Sequence, residues 1–415
     1  MSLTGWTETT VGQASEFLTG FPFPSSAFAE TGIRLIRGSN VKRGVIDWSS
    51  DIARYWSDHD SSLRAFVLRD GDIVIAMDGA LVGRSFARIT EAELPAYLVQ
   101  RVARLRGKAI DQDLLYQWIG SRDFVKHVDD VKTHTAIPHI SPRDIRDFKI
   151  SMPKDPNEQR AVSVALRDAD DLITTLERLI TKKQAIKQGM MQQLLTGRTR
   201  FPGFTEPWSE VSIYQLANNQ RTLFNDGDWV ESEHITTAGN RLLQTGNVGV
   251  GRLLDRGTKR YVSDESFSTL KCKEVVPGDI LICRLAEPAG RACIVKDIGE
   301  RRMLTSVDVS IYRPDPGLAD RRFLVAAFST PGWFQEVSER CGGSTRTRIA
   351  RSELGRIRIP LPSLEEQKRI ADVFTDADDE LDTLEARLTK ARAVKTGMMK
   401  QLLTGRTRLP LETAS

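Results

Sequence analysis

The chain has 415 residues, 40% hydrophobic and 27% charged, with a formal net charge of +4. That length is too great for one ordinary core, so two or more domains are expected, and the composition excludes a fibrous or disordered protein. No apolar run approaches the roughly 20 residues of a membrane helix, and residues 1–20 lack the basic-then-apolar pattern of a secretory leader, so a cytoplasmic protein is expected.

The first segment, 1–152, reads as an α/β globule with a curved, partly antiparallel sheet. Strand candidates are 33–36, 65–68 and 73–76, with Asp70-Gly71 as a turn signal. Basic residues suited to phosphates and base edges are Arg34, Arg37, Lys42 and Arg43. A polar stretch near its end, Lys132-Thr133-His134-Thr135, offers small hydroxylated and basic side chains of the kind that contact DNA, although a solvated loop has the same composition.

Residues 153–202 read as holding one long helix, from Pro156 to Leu195. Asp155 is placed to cap it, Pro156 occupies the first helical position, and Glu158 stands three beyond the cap. Apolar residues recur at steps of three and four, including Leu166, Ile173, Leu176, Ile180, Met190 and Leu194. Gly197 ends the helix and Pro202 prevents its continuation. At about 1.5 Å per residue it is roughly 60 Å long, too long to lie on one small domain.

A second globule of the same class, 203–361, carries strand candidates at 280–282 and 307–312 and the turn Pro277-Gly278. Its basic candidates are Arg256, Lys259, Arg260, Arg284 and Arg291. Its late polar stretch contains Ser344, Thr345, Arg346 and Arg348. Residues 362–415 then repeat the helix. Ser363 and Glu366 fit a capping box, and the apolar stripe includes Phe374, Leu381, Leu384, Leu388, Met398 and Leu402. The two stripes have coiled-coil spacing, which predicts that the helices pair antiparallel as a spacer.

The repeat is direct. GMMQQLLTGRTR begins at Gly189 and GMMKQLLTGRTR at Gly397, 208 positions apart. Fainter copies pair RLIRGSNVKRG, from Arg34, with RLLQTGNVGVG, from Arg241, and GDIVIA, from Gly71, with GDILIC, from Gly278. The connector is therefore constant and the globules vary, which implies pseudo-twofold symmetry and two related but unequal working surfaces. Lys182, Lys187, Lys390 and Lys395 recur in both connectors, and a role in docking identical partners twice stands beside plain solubility.

Competing chemistries find little support. The four cysteines, Cys272, Cys283, Cys293 and Cys341, form no C-x-x-C pair, and the five histidines do not cluster near them. Reduced core thiols and no metal are expected. No phosphate-cradling G-x-x-x-x-G-K-[ST] motif occurs, nor an N-P-P-Y or D-P-P-Y methyltransferase motif. Glu366-Gln367-Lys368 falls at a helix start, where capping explains its glutamate. No catalytic residue is assigned.

On the doubled GMM-x-QLLTGRTR helix end, the P-x-x-x-E-Q start at Pro362 to Gln367, the G-D-I strand and the late polar segment, the chain resembles the specificity subunits of type I restriction–modification systems. The first copy has one extra residue between Pro153 and Glu158. The resemblance implies two target recognition domains, each reading half of a split DNA sequence. It also implies helices that set the gap and dock two methyltransferase subunits, and through them two motor-nuclease subunits. S-adenosylmethionine, ATP and magnesium then belong to those partners. A non-catalytic coiled-coil scaffold, or a reader in a system that only methylates, remain as alternatives.

Overall fold

The structure, a computed structural model, describes residues 4–57, 61–255, 257–343 and 347–410. The chain divides into two compact units, Met1–Glu177 with Ala386–Ser415, and Arg178–Glu385. The expected division into globule, helix, globule and helix gives the element order, but the helices are not bodies of their own. Each unit takes one globule, the first half of the helix that follows it, and the second half of the other helix.

In the first unit, Trp6–Thr10 pairs antiparallel with Lys149–Pro153, closing the globule where its chain enters and leaves. The main sheet is antiparallel, in the order Ser15–Thr19, Val102–Gly107, Ile73–Ala76, Phe86–Arg88. A three-stranded sheet places Ile33–Ile36 between Tyr55–Trp56 and Ala96–Leu98, the latter parallel to it. Strand side chains alternate faces. Ile73 and Ile75 therefore join one core with the helices Gln112–Ile119 and Arg122–Val131, while Val74 and Ala76 join another with Leu98 and Val102. Burial on both faces explains why GDIVIA reads as a continuous apolar run rather than an alternating one.

The second unit repeats this plan. Ser209–Ser212 pairs with Arg358–Leu361, and the main sheet runs Phe224–Asp226, Val309–Tyr312, Ile280–Cys283, Ala292–Ile294. Its second sheet has four strands, with Asn240–Leu243 parallel to Met303–Thr305. The expected strand at 65–68 is instead a 3₁₀ helix, Ser61–Phe66, followed by an isolated bridge from Val67 to Tyr97. The expected strand at 307–312 starts two residues late, at Val309.

The G-D-I motif is a structural device. Gly71 and Gly278 take φ of +82° and +94°, a turn conformation that favours glycine. The following aspartates are buried. Asp72 accepts from Arg69 N at 2.8 Å and from Arg106 Nη2 at 2.8 Å. Asp279 accepts from Val276 N at 3.0 Å and from Arg313 at 2.8 and 2.7 Å. The charge pins each central strand to its neighbour and is fully paired, as a buried carboxylate requires.

The long helices are Pro156–Leu194 and Leu364–Leu402. Asp155 caps the first by accepting from Asn157 N at 2.9 Å. Gly197 and Gly405 end them with φ of +68° and +67°. Ser363 Oγ accepts from Glu366 N at 3.4 Å, but the Glu366 carboxylate does not return to the cap. Arg200 takes it through two bonds of 2.9 and 2.7 Å, and Trp208 Nε1 adds a third at 3.2 Å. Glu158 likewise is held by Arg408, at 2.8 and 2.7 Å, and by Trp6 at 3.2 Å. The capping-box reading of these glutamates is thus corrected: an arginine 166 or 250 positions away competes successfully for the carboxylate.

Within each unit the two half-helices run antiparallel. In the first, Glu158, Asp170 and Glu177 meet Arg408, Lys395 and Arg392 in turn. In the second, Lys183, Lys187 and Arg200 meet Glu380, Asp378 and Glu366.

Candidate nucleic-acid interface

Three loops of the first globule share one face. The loop leaving Ile73–Ala76 is bonded to the late polar segment, with Ile140 N donating to Met77 O at 2.9 Å and Gly79 N to Pro138 O at 3.0 Å. The strand that the loop enters accepts the turn at 41–46, through Gly44 N to Phe86 O at 2.7 Å. In the second globule, Ile349 N donates to Arg284 O and Ala286 N to Thr347 O, both at 3.0 Å, and Gly251 N to Ala292 O at 2.9 Å. Two features far apart in the sequence, the loop after the G-D-I strand and the late polar segment, therefore become neighbours twice.

The late segment of the first globule is tied to itself. Thr133 N donates to His139 O at 3.1 Å, His139 N to Thr133 Oγ1 at 3.0 Å, and Thr135 Oγ1 to Ile137 O at 2.8 Å. Its apex projects His134, Thr135 and Ile137 into solvent. Ile137 is 67% exposed, and on the neighbouring loops Leu81 and Val45 are each 59% exposed. A single exposed apolar side chain means little. Three on adjoining loops, beside the exposed Arg43, form a mixed apolar and cationic surface suited to base edges.

The basic candidates separate into two groups. Arg43, His134, Thr135 and Arg260 are exposed. Lys42 lies 3.9 Å from Asp47, Lys132 donates to Asp129 at 2.6 Å, and Arg348 lies 3.3 Å from Asp308. Lys259 lies 3.0 Å from Asp255 and 3.4 Å from Glu300.

The second group donates to backbone carbonyls of its own globule, and for the buried Arg284 this corrects the assignment as a DNA contact. Arg34 donates to the Ala92 carbonyl with its guanidinium over Trp48, and Arg37 donates to the Ile52 carbonyl. Arg284 is buried beside Asp226, at 3.1 Å, and donates to Val307 O and Ile349 O at 2.6 and 3.3 Å. Burial lowers its pKa from the ordinary arginine value, with Asp226 opposing that shift. Arg291 donates to the carbonyls of Val248, Leu285, Pro288 and Thr245 at 2.7 to 3.3 Å. These two arginines hold the loops of the face in place and leave the surface to other side chains. Arg256, Ser344, Thr345 and Arg346 lie outside the described residues.

On the helices, Leu166 and Phe374 enter the cores of their own globules, while Leu402 and Leu194 enter the core of the globule from the opposite repeat. Leu176, Ile180, Leu381 and Leu384 are buried, and Ile173, Leu388, Met190 and Met398 are half-buried. Lys187 pairs with Asp378 and Lys395 with Asp170. Their recurrence in both repeats therefore has an internal cause that stands beside the docking and solubility readings.

Among the described residues no helix is long and apolar enough to cross a membrane. A family model, the type I restriction modification DNA specificity domain, matches residues 254–391. The type I restriction enzyme EcoAI specificity subunit of Escherichia coli is 30% identical over 194 residues. That match covers 46% of this chain and 31% of that subunit, so the chain spans about a third of that relative's length. The MjaVIII specificity subunit of Methanocaldococcus jannaschii is 24% identical over 359 residues, covering 83% of this chain and 81% of that one. The fold is that of the S subunit of a type I restriction–modification system from M. genitalium, with a TM-score of 0.62 at 15% identity over 96% of each chain. A chain from a structure of type I R-M complex assembly matches at a TM-score of 0.56, with 17% identity, over 97% of this chain and 98% of that one.

Proposed function

We propose that the chain is a specificity subunit of a type I restriction–modification system, that it reads a split DNA target, one half with each globule, and that it catalyses nothing itself. The observation that carries this reading is the loop face built twice on one backbone plan with different side chains. Identical loop anchors with divergent tips are what a reader of two unlike half-sites requires, because phosphate contacts position while base contacts specify. Two such modules in one chain suit a target with two half-sites, because half-site spacing mirrors protein geometry in readers of this kind.

The same reading assigns the remaining chemistry to partners. Methyltransferase subunits bring S-adenosylmethionine to an adenine in each half, and motor-nuclease subunits bring ATP and magnesium. The pseudo-twofold connector favours two copies of each. The test is to express the chain with a methyltransferase subunit of its own system and map modified adenines across the host DNA. A split motif with unlike halves and a constant gap is the expected result. A stable complex that adds no sequence-selective methylation would defeat the proposal.

A further inference from the structure

Residues 41–46 and 248–253 form the same miniature hairpin. Val41 pairs with Ile46 and Val248 with Leu253, and these stems sit in the inner core of each globule. Lys42 N donates to Val45 O, and Gly249 N to Arg252 O, both at 3.0 Å. Asn40 Nδ2 reaches Asp47 O at 3.0 Å, and Asn247 Nδ2 reaches Leu254 O at 2.8 Å. The apex glycines, Gly44 and Gly251, take φ of +81° and +74°. The scaffold is fixed to the level of individual hydrogen bonds.

The side chains flanking those glycines are not fixed. The first turn reads Arg43-Gly44-Val45, and the second reads Val250-Gly251-Arg252. Each apex thus carries one arginine and one valine, in opposite order. All four are exposed, Val45 at 59% and Val250 at 45%. Among the described residues Arg252 has a loose partner in Glu385, at 4.0 Å, and its side chain is 61% exposed. A solvated valine at the tip of a turn contributes nothing to the core, so folding does not explain its presence.

The chemistry of the pair suits base edges. A guanidinium donates two N–H bonds to guanine O6 and N7, and an isopropyl group packs on the thymine methyl. We propose that positions 43 and 45, and their counterparts 250 and 252, are specificity-determining residues that read duplex DNA in opposite order in the two halves. This rests on the DNA-reading function proposed above and adds to it which side chains read.

The test exchanges the order. R43V/V45R gives the first turn the arrangement of the second, and V250R/R252V does the reverse. Each variant is assembled with the methyltransferase subunit, and modified adenines are mapped in host genomic DNA. The expected result for R43V/V45R is a fall of about 10-fold or more at native sites, with a changed base preference in one half only and the gap unaltered. V250R/R252V changes the other half. Arg43→Lys, which keeps the charge but loses the two-pronged geometry, weakens discrimination without disturbing the turn. If both exchanged variants assemble and modify the wild-type motif at wild-type extent, the turn is not a reader, while a split motif in the wild type leaves the broader function standing. A wild-type complex without a split motif overturns both.

Discussion

Arg200 and Glu366 form a two-pronged ion pair at 2.9 and 2.7 Å across 166 positions of sequence, and the Glu366 side chain is completely buried. Moving each residue forward or back by one repeat gives Arg408 and Glu158, which form the same pair in the other unit. Each contact joins an arginine of one repeat to a glutamate of the other. Among the described residues, Arg200→Ala leaves the buried carboxylate with Trp208 Nε1 alone as a side-chain partner. Leaving a buried carboxylate without its counter-ion is destabilising. Urea unfolding should show that destabilisation in the unit 178–385, and Arg408→Ala should show it in the other. Equal destabilisation of both units by either variant would contradict the separation.

Much of this organisation is legible in the sequence. The 208-residue repeat, the helix ends at Gly197 and Gly405 and the G-D-I strands are set by local chemistry, which a single chain displays. The destination of Glu158 and Glu366 is not. A glutamate three past a cap satisfies a local rule, and nothing nearby reveals that an arginine from the far repeat will hold it. The same limit applies to Arg284 and Arg291, whose charge is visible but whose carbonyl partners are assembled only by the fold. Conversely, nothing in the sequence marked Val45 and Val250 beyond the paired R-G-V and V-G-R strings. Their exposure follows from the glycine turns beside them.

The helix lysines offer a test through their ion pairs. Lys187→Glu sets a second anion against Asp378, and Lys395→Glu does so against Asp170. Both pairs are partly exposed, so each is worth about 0.5 to 1 kcal/mol. The double variant Lys187→Glu with Asp378→Lys should regain most of what the single variant loses. A double-mutant cycle in chemical denaturation measures this, and higher salt should shrink the coupling. A coupling energy of zero would mean that the pair does not hold the half-helices together.

Asp129 ties the polar loop to the body of the first globule, because it accepts from both Arg84 and Lys132. Those bonds, Arg84 first, lower its pKa from 3.8 to about 2. A carboxylate with a depressed folded pKa stabilises the protein at pH values above its unfolded pKa. The contribution is lost as pH falls from about 4 towards 2. Asp129→Asn should therefore be less stable than wild type at pH 7, by less than about 1 kcal/mol given the solvent screening of a one-third-exposed side chain. The difference should be unchanged at pH 5 and should close below pH 4. A difference that widened on acidification would contradict the assignment.

The strongest consequence of the exchanged helix ends concerns Leu402 and Leu194. Leu402 follows the second globule in sequence but packs in the core of the first, with Val11, Leu114 and Val162 in the same cluster. Leu194 follows the first globule but belongs to the core that holds Ile213, Phe323 and Phe374. Truncating a buried leucine to alanine removes transfer free energy and leaves a cavity, at a cost of about 2 to 5 kcal/mol. Leu402→Ala should therefore weaken the first globule and Leu194→Ala the second. Hydrogen exchange resolves the two, because amides in core strands report the local opening free energy. In Leu402→Ala, protection should fall in Ile73–Ala76 and Val102–Gly107 and persist in Ile280–Cys283. In Leu194→Ala the pattern should reverse. Loss of protection confined to the second globule in Leu402→Ala, or to the first in Leu194→Ala, would show that the helix ends do not exchange, and with them the paired halves of each unit would have to be redrawn.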